Sequence, residues 1–259
     1  MPELPDLEVF AANLEKRFKN KTLEKLEVTV SKKLNVSEKQ LKAALEGHQL
    51  QAVSREGKTL QLHFGTGQVL GLHLMLHGEL KLLDAGEPPK FQIITLYFKG
   101  GDGLALTDFQ RQATPTLNPE PVEVPDALSK EMSLDYLKAI LAKKGTSVKN
   151  VLMDQHLIRG IGNSYADEIL WEARLSPFSV AKAIPERKVK VLHKAIYDVL
   201  HTEIMLLSNV LKDGFTGEVR EFLKIHNAGN KNSPTGEPIL VEKKAGRKTY
   251  YTQEQELYR

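Results

Sequence analysis

Apolar residues recur at helical spacing soon after the chain begins. Leu7, Phe10, Ala11, Leu14 and Phe18 share one stripe, with Glu8, Glu15, Lys16 and Arg17 off it. This predicts an amphipathic helix. The pattern then changes to short apolar runs of strand type over Leu23–Val30, His48–Arg55, Thr59–Phe64, Val69–Leu76, Glu79–Leu83, Gln92–Phe98 and Leu104–Asp108. Gly65, Gly67, Gly78, Gly86, Gly100, Gly101 and Gly103 punctuate these runs, and one helical pattern, Ser37–Leu45, interrupts them. Many short, closely spaced strands predict an antiparallel sandwich or barrel. The proline-rich segment Pro115–Pro125 reads as a linker. Beyond it the period is helical over Ser133–Ala142, Val148–Met153, Ser164–Ala173 and Ile184–Leu207, with Ser133 and Ser164 as N-caps and Pro177 ending the third. From Phe222 the pattern is extended and basic, with Lys243, Lys244, Arg247, Lys248 and Arg259. No internal repeat or low-complexity tract is visible.

Composition narrows the picture without deciding it. A chain of 259 residues can bury a full core in one large or two modest domains. Its 36 Lys and Arg stand against 33 Asp and Glu, a net charge of +3. That excess is too small to indicate nucleic-acid binding, so a basic surface has to come from local clustering. With no cysteine, disulfides and thiolate metal sites are excluded. No apolar run approaches the roughly 20 residues that span a bilayer, and the start lacks the layout of a signal peptide. A soluble cytoplasmic protein is expected.

Three stretches carry candidate chemistry. The chain opens Met1-Pro2-Glu3-Leu4-Pro5-Asp6-Leu7-Glu8. If the initiator methionine is removed, Pro2 becomes a secondary amine with an ordinary pKa of about 7.7–8.0, neutral in appreciable fraction at neutral pH. Such an amine beside a carboxylic acid, here Glu3, can attack an electrophilic carbon and form an iminium, which then serves as an electron sink. The alternative is a proline that merely starts the chain. Gly57-Lys58 lies between two strands, where a lysine can project or simply be solvated. In Gln155-His156-Leu157-Ile158-Arg159-Gly160-Ile161-Gly162-Asn163-Ser164-Tyr165-Ala166, two glycines in a tight turn let backbone amides approach a charged group, and the following helix presents its positive end. Phosphate binding and an ordinary turn between helices are both open there. His156 reads as a polar helix-end residue, and His63, His73 and His77 as strand residues rather than metal ligands.

The Pro-Glu-Leu-Pro opening and the Gly-Ile-Gly-Asn stretch resemble the formamidopyrimidine-DNA glycosylase and endonuclease VIII family of base-excision repair enzymes, and the likeness spans nearly the whole chain. Asp6 stands where the family has Glu, a shorter carboxylate at the edge of the site. The resemblance implies an α+β fold in two domains. The first is an N-terminal antiparallel β-sandwich with flanking helices over residues 1–114. A linker over 115–130 follows, then a helix–two-turn–helix DNA-binding domain over 131–221 and a β-hairpin over 222–259. It implies catalytic roles for Pro2, Glu3, Lys58 and Arg247, the last on the hairpin. DNA-binding roles fall to Lys149, Gly162, Asn163, Arg111 and Lys90. Leu76, Gln110 and Gln112 correspond to residues that fill the gap left by an extruded base. A register shifted by one gives Met75 and Arg111 instead, and the family's aromatic wedge is missing unless Phe109 replaces it.

The C-terminus departs from the family, whose members usually hold zinc there with two Cys-x-x-Cys pairs. Asn232, Thr235, Thr252 and Gln255 occupy those positions, and none is a plausible zinc ligand. A "zincless finger" is expected, held by Tyr250, Tyr251 and Ile239. The segment Val210–Arg220 is shorter than the loop that the oxidised-guanine specialists fold over their substrate. The whole predicts a bifunctional glycosylase and AP lyase without metal or cofactor. Its expected partner is double-stranded DNA with a damaged base or abasic site, and the expected state is a monomer in the bacterial cytoplasm, at the nucleoid. A non-catalytic damaged-DNA-binding relative and, less so, an RNA-binding protein are the alternatives.

Overall fold

The computed structural model describes residues 1–83, 89–215, 217–244 and 246–259, the side chain of Lys244 apart. Gly86, expected to punctuate two strands, lies outside the described residues. The chain divides into two compact units: residues 1–121 with 207–218, and residues 122–206 with 219–259.

The first unit opens with α1 (Leu4–Phe18) and continues through β1 (Leu23–Val28), α2 (Glu38–Leu45), β2 (Leu50–Glu56), β3 (Thr59–Phe64), β4 (Val69–His73), β5 (Glu79–Leu82), β6 (Gln92–Phe98), β7 (Gly103–Thr107) and β8 (Thr114–Leu117). The strands form two antiparallel four-stranded sheets, ordered β1-β6-β7-β5 and β2-β3-β4-β8. Alternate residues of both sheets, such as Leu60, Leu62 and Phe64 or Leu104 and Leu106, enter one core with Phe10, Leu14 and Phe18 of α1 and Leu41 and Leu45 of α2. Ser37 caps α2 as its residue type favours, accepting from the Gln40 N–H.

Two sequence expectations fail here for identifiable reasons. Thr114–Leu117 is a strand, not the start of a linker. It lies at the edge of its sheet, where Pro115 pairs with Leu72 without needing an N–H on its outer side. Residues 207–218 belong to the first unit and not to a helical domain running to 221. Phe215 is buried in the first core, and Asn13 Nδ2 donates to the carbonyls of Leu211 and Gly214 at 2.5 and 2.6 Å.

The second unit holds α3 (Leu134–Ala142), α4 (Val148–Met153), α5 (Asn163–Glu172), a 3-10 turn at Ala181–Ala183 and most of α6 (Glu186–Val210), then the hairpin β9 (Leu240–Lys244) and β10 (Arg247–Tyr251). Ser133 and Ser147 cap α3 and α4. Ser164 is not the cap of α5. Gly162 takes that position in extended backbone and brings no side chain of its own to cap α5. No described helix is long and apolar enough to cross a membrane.

Candidate active site

Pro2 is buried on the wall of a cavity of about 750 Å³ within the first unit, lined also by Leu76, His77, Lys81, Lys90, Phe91, Asp108, Phe109 and Glu218. Met1 precedes it, with its ammonium paired to Glu218. Glu3 is the N-cap of α1 and only 4% exposed. Its N–H donates to Asp6 Oδ2 at 2.8 Å in a capping box, and Pro5 lies in the first turn. Asp6 is thus not at the edge of the site. It is fully buried and fixes the backbone that carries Pro2 and Glu3.

Two polar ties orient α1 on the second sheet. Glu15 Oε2 accepts from the Val53 N–H at 3.0 Å, and the Lys19 hydrogen bond with this backbone contact holds its carboxyl below the usual range. Glu8 Oε2 accepts from Arg55 Nε at 2.6 Å. Arg55 also donates to the Gly57 carbonyl at 3.1 Å, steadying the two-residue turn in which Gly57, at φ +58°, precedes Lys58. Lys58 is felt at His73 on the neighbouring strand. Burial, and secondarily the Lys58 charge, push the His73 pKa down. Its Nδ1 accepts from the Met75 N–H at 3.1 Å.

That bond begins a tight loop. Met75 has φ +57°, and a Cβ on Gly78 would lie 2.1 Å from the Leu74 carbonyl oxygen, so this turn requires glycine. The loop leaves Leu76 58% exposed. A second loop is built on the buried carboxylate of Asp108, which accepts from the N–H groups of Gln110, Gln112 and Ala113 at 2.9, 2.7 and 2.8 Å. It holds Phe109 57% exposed, with its ring 4.7 Å from that of His77. Of the expected gap-fillers, Leu76 lines the cavity and Gln110 and Gln112 do not; Phe109 lines it too. Lys90 is exposed on the cavity wall. Arg111 lines an adjoining hollow of about 270 Å³ with Phe91.

In the second unit the turn between α4 and α5 is stapled by Gln155, a residue with no assigned role at the level of sequence. Its Oε1 accepts from Gly160 N–H at 3.0 Å and its Nε2 donates to the carbonyls of Met153 and Ile161 at 2.9 and 2.8 Å. Asn163, Asp167 and Trp171 then recur along one face of α5, and each meets the hairpin. Asn163 Nδ2 donates to the Lys248 carbonyl at 3.0 Å, Asp167 Oδ2 accepts from the Tyr250 N–H at 2.9 Å, and Trp171 packs with Tyr250, Ile225 and Ile239. Arg247 stands exposed at the hairpin's turn, one residue from the Asn163 contact.

Lys149 departs from its expected contact with DNA. It is 5% exposed, and its amine lies 2.7 Å from Asp167 Oδ1 and donates to Thr249 Oγ1 at 2.8 Å. It fastens α4, α5 and β10 together from inside. Glu168 does similar work for the preceding segment, accepting from the N–H groups of Lys224, Ile225 and His226 at 2.9, 2.9 and 2.7 Å; burial pushes its carboxyl up.

An antiparallel β-sandwich that buries the second residue, Pro2, in a cavity wall, and a helical unit with a glycine-bearing turn and a basic hairpin, define a class of two-part DNA-repair proteins. The comparisons give the family. The description "Formamidopyrimidine-DNA glycosylase N-terminal domain" matches residues 1–114, and "Formamidopyrimidine-DNA glycosylase H2TH domain" matches residues 124–212. The formamidopyrimidine-DNA glycosylase of Carboxydothermus hydrogenoformans is 31% identical over 97% of this chain and 98% of its own, and that of Desulforamulus reducens 32% over 97% of each. A complex between the Lactococcus lactis Fpg and abasic-site DNA matches with a TM-score of 0.85 at 27% identity, covering 97% of this chain and 98% of that one. The chain belongs to the formamidopyrimidine-DNA glycosylase family.

Proposed function

We propose that this protein is a bifunctional DNA glycosylase and AP lyase of base-excision repair. Removal of Met1 turns the Pro2 amide nitrogen into a secondary amine. That amine attacks the anomeric carbon of an extruded nucleotide, the bond to the base breaks, and Glu3 supplies a proton to the ring oxygen as the sugar opens. The product is an iminium between Pro2 and the sugar. Loss of a proton from the neighbouring carbon then expels the 3′ phosphate, with Lys58 assisting, and Arg247 assists the second elimination. No step in this sequence draws on a metal or organic cofactor. The substrate is duplex DNA with an oxidised or ring-opened base, or an abasic site.

The observation that carries this reading is the position of Pro2 on the cavity wall, with its backbone fixed one residue later by the Glu3–Asp6 cap. Three further features support it. Lys58 is held in a tied turn, Asn163 binds the hairpin at the Lys248 carbonyl, next to Arg247, and solved Lactococcus lactis relatives are bound to abasic-site DNA and to Fapy-dG-containing DNA. We assign Leu76 and Phe109 to the gap left by the extruded base, and Lys90 and Arg111 to the duplex beside it.

A cleavage panel tests the assignment: duplexes carrying an oxidised purine, a ring-opened purine, an oxidised pyrimidine or an abasic site, with nicked products resolved by length. Nicking of the abasic duplex and of at least one damaged-base duplex is expected. Tight binding to these duplexes with no nicking of any would instead make the protein a non-catalytic reader of damage.

A further inference from the structure

The family's zinc positions are filled here by Asn232, Thr235, Thr252 and Gln255, and hydroxyl and amide groups do not make a zinc site. Two of these residues, Thr235 and Thr252, converge on something else. The Thr235 hydroxyl donates to Glu254 Oε2 at 2.8 Å and the Thr252 hydroxyl to the same oxygen at 3.2 Å. Arg174 Nη1, just beyond α5, lies 2.9 Å from that oxygen, and its guanidinium covers the Trp171 ring at 4.6 Å. Ser233, 5% exposed, shares a 2.7 Å hydrogen bond with Thr235. Gln255 Oε1 accepts from the Thr252 N–H at 2.8 Å, while its Nε2 donates to the Leu175 carbonyl at 2.9 Å.

We propose that Glu254 is a positioning residue that replaces the metal: its carboxylate gathers both ends of the hairpin and clamps them to Arg174, and through this it holds Arg247 at its working position. A zinc ion joins the two ends of such a hairpin by binding anionic ligands from each. Here the polarity is inverted, with an anion at the centre and hydroxyl and guanidinium donors around it. The clamp responds to charge rather than to metal supply or thiol oxidation. Arg174 is the cation facing Glu254. Of the other charged groups nearby, Lys188 pairs with Glu256 and Lys224 with Glu172. The Thr235 hydrogen bond, then the Arg174 charge, hold the Glu254 carboxyl below its usual value.

The role given to Arg247 rests on the reading above, but the hairpin itself can be followed without DNA. Trp171 is the only tryptophan of the chain and packs on Tyr250, so its emission reports the docked hairpin. In the full-length protein, emission and nicking of an abasic duplex are expected to be unchanged by a strong zinc chelator. Glu254→Ala is expected to red-shift the emission. It should also lower the ratio of second to first elimination product about tenfold, as Arg247→Ala does, while borohydride-trapped adduct is retained. Glu254→Gln should remove the acid-induced emission change that the parent shows as pH falls below 4.5, and this comparison decides the matter if Glu254→Ala does not fold. Chelator-induced loss of the docked emission, or Glu254→Ala and Glu254→Gln both indistinguishable from the parent, overturns the proposal. A parent that shows these emission changes but never nicks DNA leaves the clamp standing and removes the enzymatic reading.

Discussion

Arg55 binds Glu8 through Nε at 2.6 Å and the Gly57 carbonyl through Nη1 at 3.1 Å, so one side chain joins the helix that follows Pro2 to the turn that carries Lys58. The Arg55 side chain is 6% exposed and that of Glu8 43%. Arg55→Ala is therefore expected to cost about 2 kcal/mol of stability, the scale of hydrogen bonds to charged groups. It should also slow nicking of an abasic duplex about tenfold by loosening Pro2 and Lys58, the two groups proposed to act on one sugar. Denaturant melts and single-turnover kinetics check both halves. Unchanged kinetics at reduced stability would confine Arg55 to folding.

Lys149 gives a prediction that separates a buried tie from a phosphate contact. Lys149→Met leaves Asp167, which is fully buried, without its ammonium, a loss on the order of 3 kcal/mol. The dependence of DNA affinity on salt should keep its slope. A lysine on a phosphate would behave oppositely, lowering that slope by about 1 with little effect on stability. Thermal melts and binding measured across salt concentrations distinguish the two.

The pH response follows from His73. Its folded pKa lies below the ordinary 6.5, so between these values the unfolded chain binds a proton that the folded chain does not. Stability contributed by this residue is present above pH 6.5 and falls as pH drops through that window. Protonation also removes the acceptor for the Met75 N–H that shapes the Leu76 loop. Nicking is expected to decline below pH 6.5 together with stability, and His73→Gln should flatten the decline. A variant with the parent's pH profile would show that another group controls it.

How far the sequence could be read divides along the range of the interactions. Strands such as Thr59–Phe64 and Gln92–Phe98, and helix Val148–Met153, follow from local periodicity alone, and their limits in the structure are the predicted ones. Pro2, Lys58 and Asn163 were visible as motif residues, because turn and terminus chemistry is also local. Partners far apart in sequence were not visible. Val148, Val151 and Leu152 mark a buried helix face, but nothing nearby announces Asp167 as the counter-ion that draws Lys149 inside. Glu254 reads as one more surface acid until Thr235, Thr252 and Arg174 are brought to it. Asp108 left a fainter trace: an Asp directly before an exposed loop is the residue type that accepts several backbone N–H groups.

The wedge assignment predicts a split between substrates. Phe109→Ala is expected to slow excision from a duplex with a damaged base about tenfold, the scale of one lost base–aromatic stack. Leu76→Ala should act in the same direction. Both variants should nick an abasic duplex closer to the parent's rate, because less unstacking is needed there. Fluorescence of a stacking-sensitive base analogue opposite the lesion should lose its binding-induced change in Phe109→Ala. Gln110→Ala and Gln112→Ala are expected to resemble the parent.

The most direct measurement is the intact mass of protein incubated with abasic duplex and borohydride, alongside Pro2→Gly and Glu3→Gln. The expected result is a protein that has lost Met1 and gains the mass of the DNA strand through Pro2, with nicking reduced by more than about a hundredfold in Pro2→Gly. Mature protein still carrying Met1, or a Pro2→Gly variant that nicks as fast as the parent, would contradict it.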